Sequence, residues 1–182
     1  MEYYRKLVGE RLYLSPFDAS DEGTCTQWAR WMNEPAVAEC YGDPSHLVTP
    51  ASAKKTLEGL TGHRFNIVLM DGDVCVGHIS LHDIDHFHLH AYIGIFIGDG
   101  EHRGKGYGAE AIRLVLDYGF KTMNLHSILL SVNADNAAAI ACYKKAGFRE
   151  SGRRREYKFK GGKYIDIIYM DILEQEFAGK IL

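Results

Sequence analysis

Arg103-Gly104-Lys105-Gly106-Tyr107-Gly108 stands between an apolar, strand-like segment and a long amphipathic stretch, and the reading of this run decides the fold. Glycines at alternate positions carry no Cβ, so successive backbone N–H groups can turn inward and approach a ligand closely. The helix that follows brings the positive end of its dipole to the same place, which suits a phosphate or pyrophosphate. A dinucleotide fingerprint would need glycine at 104, 106 and 109, but this chain has Ala109. A Walker-type loop would need glycine at 99 and a hydroxyl residue at 106, where Asp99 and Gly106 stand.

The second informative stretch runs from Val132 to Phe148, VNADNAAAIACYKKAGF. Asp135 or Asn136 reads as a helix N-cap, the alanines as helix formers, and Gly147-Phe148 as a left-handed stop with its apolar contact. Asn136, Ile140 and Tyr143 then share one helix face. Seven residues of helix set the amide and the phenol about 10 Å apart along the axis, a spacing suited to two contacts on one extended ligand.

These residues resemble the GNAT superfamily of acetyl-CoA-dependent N-acetyltransferases, in the branch that holds bacterial Rim-type enzymes and spermidine acetyltransferases. Arg103, Gly106 and Gly108 stand at the defining positions of that family's pyrophosphate loop, and Asn133, Asn136, Tyr143 and Gly147-Phe148 match the branch's second signature. The resemblance implies acetyl-CoA as cosubstrate and no metal. It implies contacts to the pyrophosphate from Arg103, Gly104, Lys105, Gly106, Tyr107 and Gly108, and places Asn133, Asn136 and Tyr143 beside the cofactor. It also implies that the strands Leu89 to Ile97 and Ser127 to Val132 splay apart, so that the backbone of Ile95, Phe96 and Ile97 pairs with the pantetheine arm as an added strand would.

A chain of 182 residues, 46% hydrophobic, suits one well-buried domain spanning 1–182. The formal net charge of −3 argues against nucleic acid as a partner. No apolar run reaches membrane-spanning length, and Met1 to Lys6 is not followed by a hydrophobic segment, so a cytoplasmic protein is expected. Cys25, Cys40, Cys75 and Cys142 are scattered, as reduced thiols are. Either a monomer or a homodimer is compatible with this reading.

Along the chain, Arg11 to Pro16 alternates as a strand, and Asp18 to Met32 reads as a helix with Trp28 and Trp31 on a buried stripe. Thr49-Pro50 opens a helix to about Leu60, closed by Gly62. Arg64 to Met70, Val74 to His82 and Leu89 to Ile97 read as strands, the first two joined at Asp71-Gly72. Ile112, Val115, Leu116, Gly119 and Phe120 recur at helical spacing after the glycine loop, and Ser127 to Val132 is the next strand. Strand, helix and strand make the one parallel unit. A hairpin of Glu156 to Lys160 and Tyr164 to Leu173 turns at Gly161-Gly162. The fold class is therefore α/β: a mixed, largely antiparallel central sheet with helices on both faces.

The chemistry implied is direct attack of a neutral amine on the acetyl thioester, with Tyr143 protonating the departing thiolate; plain packing under the helix is the competing role for that ring. A phenol of pKa about 10 passes its proton to a thiol of about 8.5 at a cost of roughly 2 kcal/mol, small beside bond cleavage. Much of the branch carries a Glu base where this chain has Tyr92, so the base stays open among Asp83, Asp85, a nearby His, or none. A protein α-amine near pKa 8 is already about a tenth neutral at pH 7, whereas a lysine-like amine near 10.4 is almost wholly charged, which tilts the acceptor toward an N-terminal α-amine. Polyamine or other small-amine acetylation, and a non-catalytic acyl-CoA sensor, are the alternatives.

Glu34, Glu39 and Asp43 lie in a connection that borders the acceptor mouth by the same resemblance, where carboxylates attract a cationic amine or serve as ordinary surface acids. His82, His86, His88 and His90 admit a metal or acceptor site, against the blander reading of a solvated hairpin tip over Asp83 to His88. Arg153, Arg154, Arg155, Lys158, Lys160 and Lys163 read as a solvated basic face, with an RNA role as the alternative.

Overall fold

Leu12 and Leu14 pack into one apolar cluster and Tyr13 between them into another, so the alternation of a single strand already sets two cores on opposite sides of a sheet. The structure, a computed structural model, describes residues 2–177; the single-domain reading over 1–182 also takes in Met1 and residues 178–182, which lie outside them. The strands are β1 (Leu7–Val8), β2 (Leu12–Pro16), β3 (His63–Leu69), β4 (Cys75–Asp85), β5 (His90–Ile97), β6 (Ser127–Asn133), β7 (Arg149–Lys160) and β8 (Lys163–Leu173). Among the described residues they form one sheet in the order β1-β2-β3-β4-β5-β6-β8-β7. Every neighbouring pair is antiparallel except β5 and β6. The mixed sheet expected from the sequence is the one observed.

The helix α4 (Tyr107–Asp117) buries Ala111, Ile112, Val115 and Leu116, and a π-helical turn over Tyr118–Thr122 adds Phe120. These join Ile79, Leu81, Ile93, Ile128 and Leu130 in the larger core. On the opposite face, α1 (Glu22–Met32) and α3 (Pro50–Glu58) pack Trp28, Trp31, Ala53 and Leu57 against Tyr13, Val68 and Phe96. Between them lies the short α2 (Pro35–Ala38). The last helix, α5 (Ala137–Ala146), is capped by Asn136, which accepts from the Ala139 amide, and stops at left-handed Gly147.

The structure redraws several boundaries. The first helix begins at Glu22 rather than Asp18, because the Asp21 carboxylate caps it by accepting from the Thr24 amide, while Asp18 folds back on Ser20. The helix after Thr49-Pro50 ends at Gly59, not at Gly62, which sits at the entry to β3. The fourth strand runs to Asp85 through a break in register after His82, and the β7 strand starts at Arg149, seven residues before Glu156. The short elements β1 and α2 carry too few residues to show a period.

On the α1 face, His78 is fully buried, with ring centroids of Phe17 and Trp28 at 5.0 Å and neither ring nitrogen hydrogen-bonded. Burial pushes its imidazole down to about 3, with Arg64 and His82 adding to the effect. The folded protein refuses a proton that the unfolded chain accepts, so between the ordinary 6.5 and about 3 the unfolded state binds more protons, and stability is lost as pH falls. Urea unfolding of the wild type should weaken by about 1 kcal/mol per pH unit below pH 6, and His78→Phe should remove most of that slope.

Candidate active site

The parallel strands β5 and β6 pair at only three positions, His90 with Ser127, Ala91 with Ile128 and Tyr92 with Leu129, and then part. Each keeps its other neighbour: β5 remains on β4 as far as Ile97, and β6 remains on β8 as far as Asn133. The segment Ile93 to Ile97 therefore presents an edge without a strand partner, and an unpaired edge offers alternating N–H and C=O groups to an amide-bearing chain. The gap opens a cleft of about 730 Å³, walled by β5, the glycine loop, β6 and α5.

At one end lies the glycine loop. Gly104 and Gly106 have φ of 73° and 87°, a left-handed backbone at alternate positions that turns successive amides to one side. Among the described residues, no acceptor takes the amides of Gly104, Lys105 or Gly106, and Gly106, the N-cap of α4, supplies no side-chain cap. Gly104, Gly106 and Gly108 line the cleft; Lys105 and Tyr107 do not.

Two arginines hold this loop in shape. Arg103 donates from Nε to the Ile97 carbonyl at 2.9 Å, and from Nη2 to the Gly98 carbonyl at 2.9 Å and to Glu34 at 3.0 Å. Its side chain ties the loop to the end of β5. Gly98 itself lies flat against Trp31, whose ring occupies the place of any side chain there. From the other side, Arg11 donates to the Lys105 carbonyl and to buried Glu110, both at 2.9 Å, and its guanidinium rests over the Tyr107 ring. The Glu110 carboxylate also accepts the amides of Glu10 and Arg11 at 2.9 Å. Position 11 shows in the sequence only as the start of a strand, and Glu110 only as a first-turn acid that complements the helix dipole.

At the other end stands Tyr143, 8% exposed, packed edge-on against Phe148 and lining the cleft. Burial pushes its phenol well above the ordinary value, with Cys142, Tyr41 and Cys40 reinforcing the shift. The ring therefore keeps its proton throughout the neutral range. A thiol in a dry site moves the same way: burial raises Cys75 to about 11. Desolvation raises the basicity of a departing thiolate as well, so a phenol can still deliver its proton to a sulfur leaving within the cleft.

Asn136 lines the cleft and also reaches the Cys40 sulfur at 3.6 Å, while Asn133 turns its amide to the Glu39 carbonyl at 2.9 Å, a brace that Lys158 shares. Tyr92 and Tyr41 form part of the wall. Glu34 and Glu39 stand outside it, Glu34 on Arg103 and Glu39 3.5 Å from Lys160. The basic residues near the end of the chain are partly neutralised, Lys160 by Asp135 and Arg153 by Asp166. Among the described residues, no three His, Cys, Asp or Glu side chains are grouped to hold a metal ion. No helix of the described residues is long and apolar enough to cross a membrane.

This arrangement of parted strands, open-amide loop and buried phenol is that of an acyl-transferring enzyme. Residues 11–149 match the acetyltransferase (GNAT) domain, and the chain belongs to that family, whose members use acetyl-CoA. It is 33% identical over 181 residues to the uncharacterized N-acetyltransferase p20 of Bacillus licheniformis, covering 95% of this chain and 98% of that one. It is 32% identical over 154 residues to the putative ribosomal N-acetyltransferase YdaF of Bacillus subtilis, covering 85% and 80%. The crystal structure of spermidine N-acetyltransferase from Vibrio cholerae in complex with CoA and spermine superposes with a TM-score of 0.78 at 27% identity, over 92% of this chain and 98% of that one. The protein is an N-acetyltransferase.

Because Glu110 satisfies a guanidinium and two amides from a nearly dry position, Glu110→Ala should lower the unfolding free energy by about 2 kcal/mol and loosen the loop. Chemical unfolding measures the first effect. Calorimetry with CoA measures the second, where a clear drop in affinity relative to wild type is expected.

Proposed function

We propose that this N-acetyltransferase acts on a weakly basic amine with no more than one positive charge, the α-amine of a protein or peptide N-terminus. One observation carries this reading: among the described residues lining the cleft there is no carboxylate, and of the acids expected at the mouth Glu34 is paired with Arg103, Glu39 shares Lys160 with Asp135, and Asp43 is hydrogen-bonded to Ser45 and His46. A polyamine needs counter-charges along its length, since burying unpaired ammonium groups is costly. An α-amine needs only to shed one proton and meet the thioester. The polyamine alternative draws its support from the spermine-bound relative.

In this reading the whole chain acts as one acetyltransferase domain. The pantetheine arm lies along the free edge of Ile95, Phe96 and Ile97, and the pyrophosphate meets the amides of Arg103 to Gly108, with Lys105 and Tyr107 contributing through their backbone. Asn136 and Asn133 stand beside the arm. The amine nitrogen attacks the acetyl carbonyl, the C–S bond breaks with its electron pair going to sulfur, and the Tyr143 hydroxyl protonates the thiolate. Its phenolate then recovers the surplus proton from the new amide nitrogen through water. Burial of Tyr143 supports this role, because a phenol that stays protonated remains ready for each turnover.

Thiol release from acetyl-CoA, measured across an amine panel, tests the acceptor. Peptides with a free N-terminus should be consumed and blocked copies should not; spermidine exceeding every peptide in kcat/KM would transfer the assignment to polyamines. Tyr143→Phe should lower kcat by about a hundredfold while leaving the Kd for acetyl-CoA nearly unchanged. An unaltered kcat would return the ring to a packing role.

A further inference from the structure

The step with no assigned residue is removal of the proton from the acceptor's ammonium group, and we propose that His82, oriented by Asp83, is the base that performs it. The proposal rests on reading the cleft as an amine acetyl-transfer site. His82 lies directly across from Tyr92 in the β4 and β5 register, and the two rings stack 6.1 Å apart at 21°. Tyr92 thus supports the imidazole from the neighbouring strand.

The carboxylate partner is in place because the strand breaks its own rule. Consecutive residues of a regular strand point to opposite faces, so Asp83 should turn away from His82. Instead Asp83 has φ of 49°, a left-handed conformation that Asp tolerates better than most residues, and the register slips at that point. Its Oδ2 comes within 3.1 Å of His82 Nδ1. A carboxylate can only accept, so Nδ1 carries the proton and Nε2 of the neutral ring is left with a free lone pair.

That free nitrogen points at the acceptor wall. A Cβ built at Gly94 would lie 3.4 Å from His82 Nε2 and 3.3 Å from the Tyr41 hydroxyl. Gly94, Tyr41 and Tyr92 all line the cleft, so the missing side chain at Gly94 is the opening through which Nε2 reaches it, directly or through one water. The pairs His88 with Asp85 and His102 with Asp99 have comparable distances but are local contacts three residues apart, at the end of β4 and at a 3-10 turn. The charged and titratable groups around His82 are Asp83 and His78 from its own strand, Tyr92 from β5, Tyr41 from the segment after α2, and Arg64 from β3. Of these, Arg64 carries a positive charge and Asp83 a negative one, while buried His78 stays neutral.

The proton balance closes. R–NH3⁺ gives a proton to Nε2, R–NH2 attacks, Tyr143 supplies and recovers one proton as described, and His82 releases its own to solvent, one proton per turnover. The experiment compares kcat/KM for the amine against pH in wild type and His82→Gln, with acetyl-CoA affinity measured in parallel by calorimetry. At pH 7, His82→Gln should lower kcat/KM by about a hundredfold with cofactor affinity unchanged, and the deficit should shrink as pH rises and the amine deprotonates unaided. Asp83→Asn should show a smaller version of the same pH-dependent loss. Gly94→Ala should act like His82→Gln, since its methyl fills the opening. A His82→Gln profile that matches wild type, or a deficit constant at all pH values, overturns the base assignment alone. Absence of thiol release from wild type with every amine overturns the underlying reading as well.

Discussion

The parting of β5 from β6 after Tyr92 and Leu129 is the constraint on which the rest of this protein depends. A sheet normally gains by extending its ladder, and here two strands with residues to spare stop after three pairs. Neither is loose. The β4–β5 ladder continues to Ile97 and the β6–β8 ladder to Asn133, so the outer halves of the sheet hold the gap open. What is forgone in backbone pairing is available to a substrate with amides of its own. The ligand would thus complete the sheet instead of displacing part of it.

Around the gap, polar side chains are used mainly to fix other parts of the protein. Arg103 secures its loop to the last carbonyls of β5, Arg11 and Glu110 clasp it from the far side, and Asn133 steadies the segment after α2. The loop itself offers an anion amides whose direction is set by two left-handed glycines. A rigid array of amides pays no side-chain entropy when it meets an anion, whereas a lysine or arginine would. The basic residues of this region serve the same end indirectly, by making the loop stiff.

Much of this was legible from the chain. The glycine run, the cap at Asn136 and the stop at Gly147 are local signals, in which backbone conformation and residue type are tied by sterics, and the structure places the loop and α5 where those signals put them. Apolar alternation located most of the strands to within a few residues, but missed β1 and set the start of β7 seven residues late. The clasp of Arg11 on Glu110 was not legible, because its two ends are 99 residues apart and neither type of residue announces a partner. Nor was the contact of His82 with Asp83: a strict two-residue alternation separates them, and only a left-handed Asp83 brings them together. The pairing of Glu34 with Arg103 and of Glu39 with Lys160 was not legible either, since an ion pair is decided by where distant strands finish.

The flat seating of Trp31 on Gly98 has a practical side. This chain has two tryptophans, Trp28 and Trp31, both on α1, and Trp31 touches the residue whose carbonyl Arg103 grips. Any tightening of the glycine loop is transmitted to that indole through a contact with no slack. The protein accordingly contains its own optical gauge at the root of the loop, readable in emission wavelength and quenching without a label.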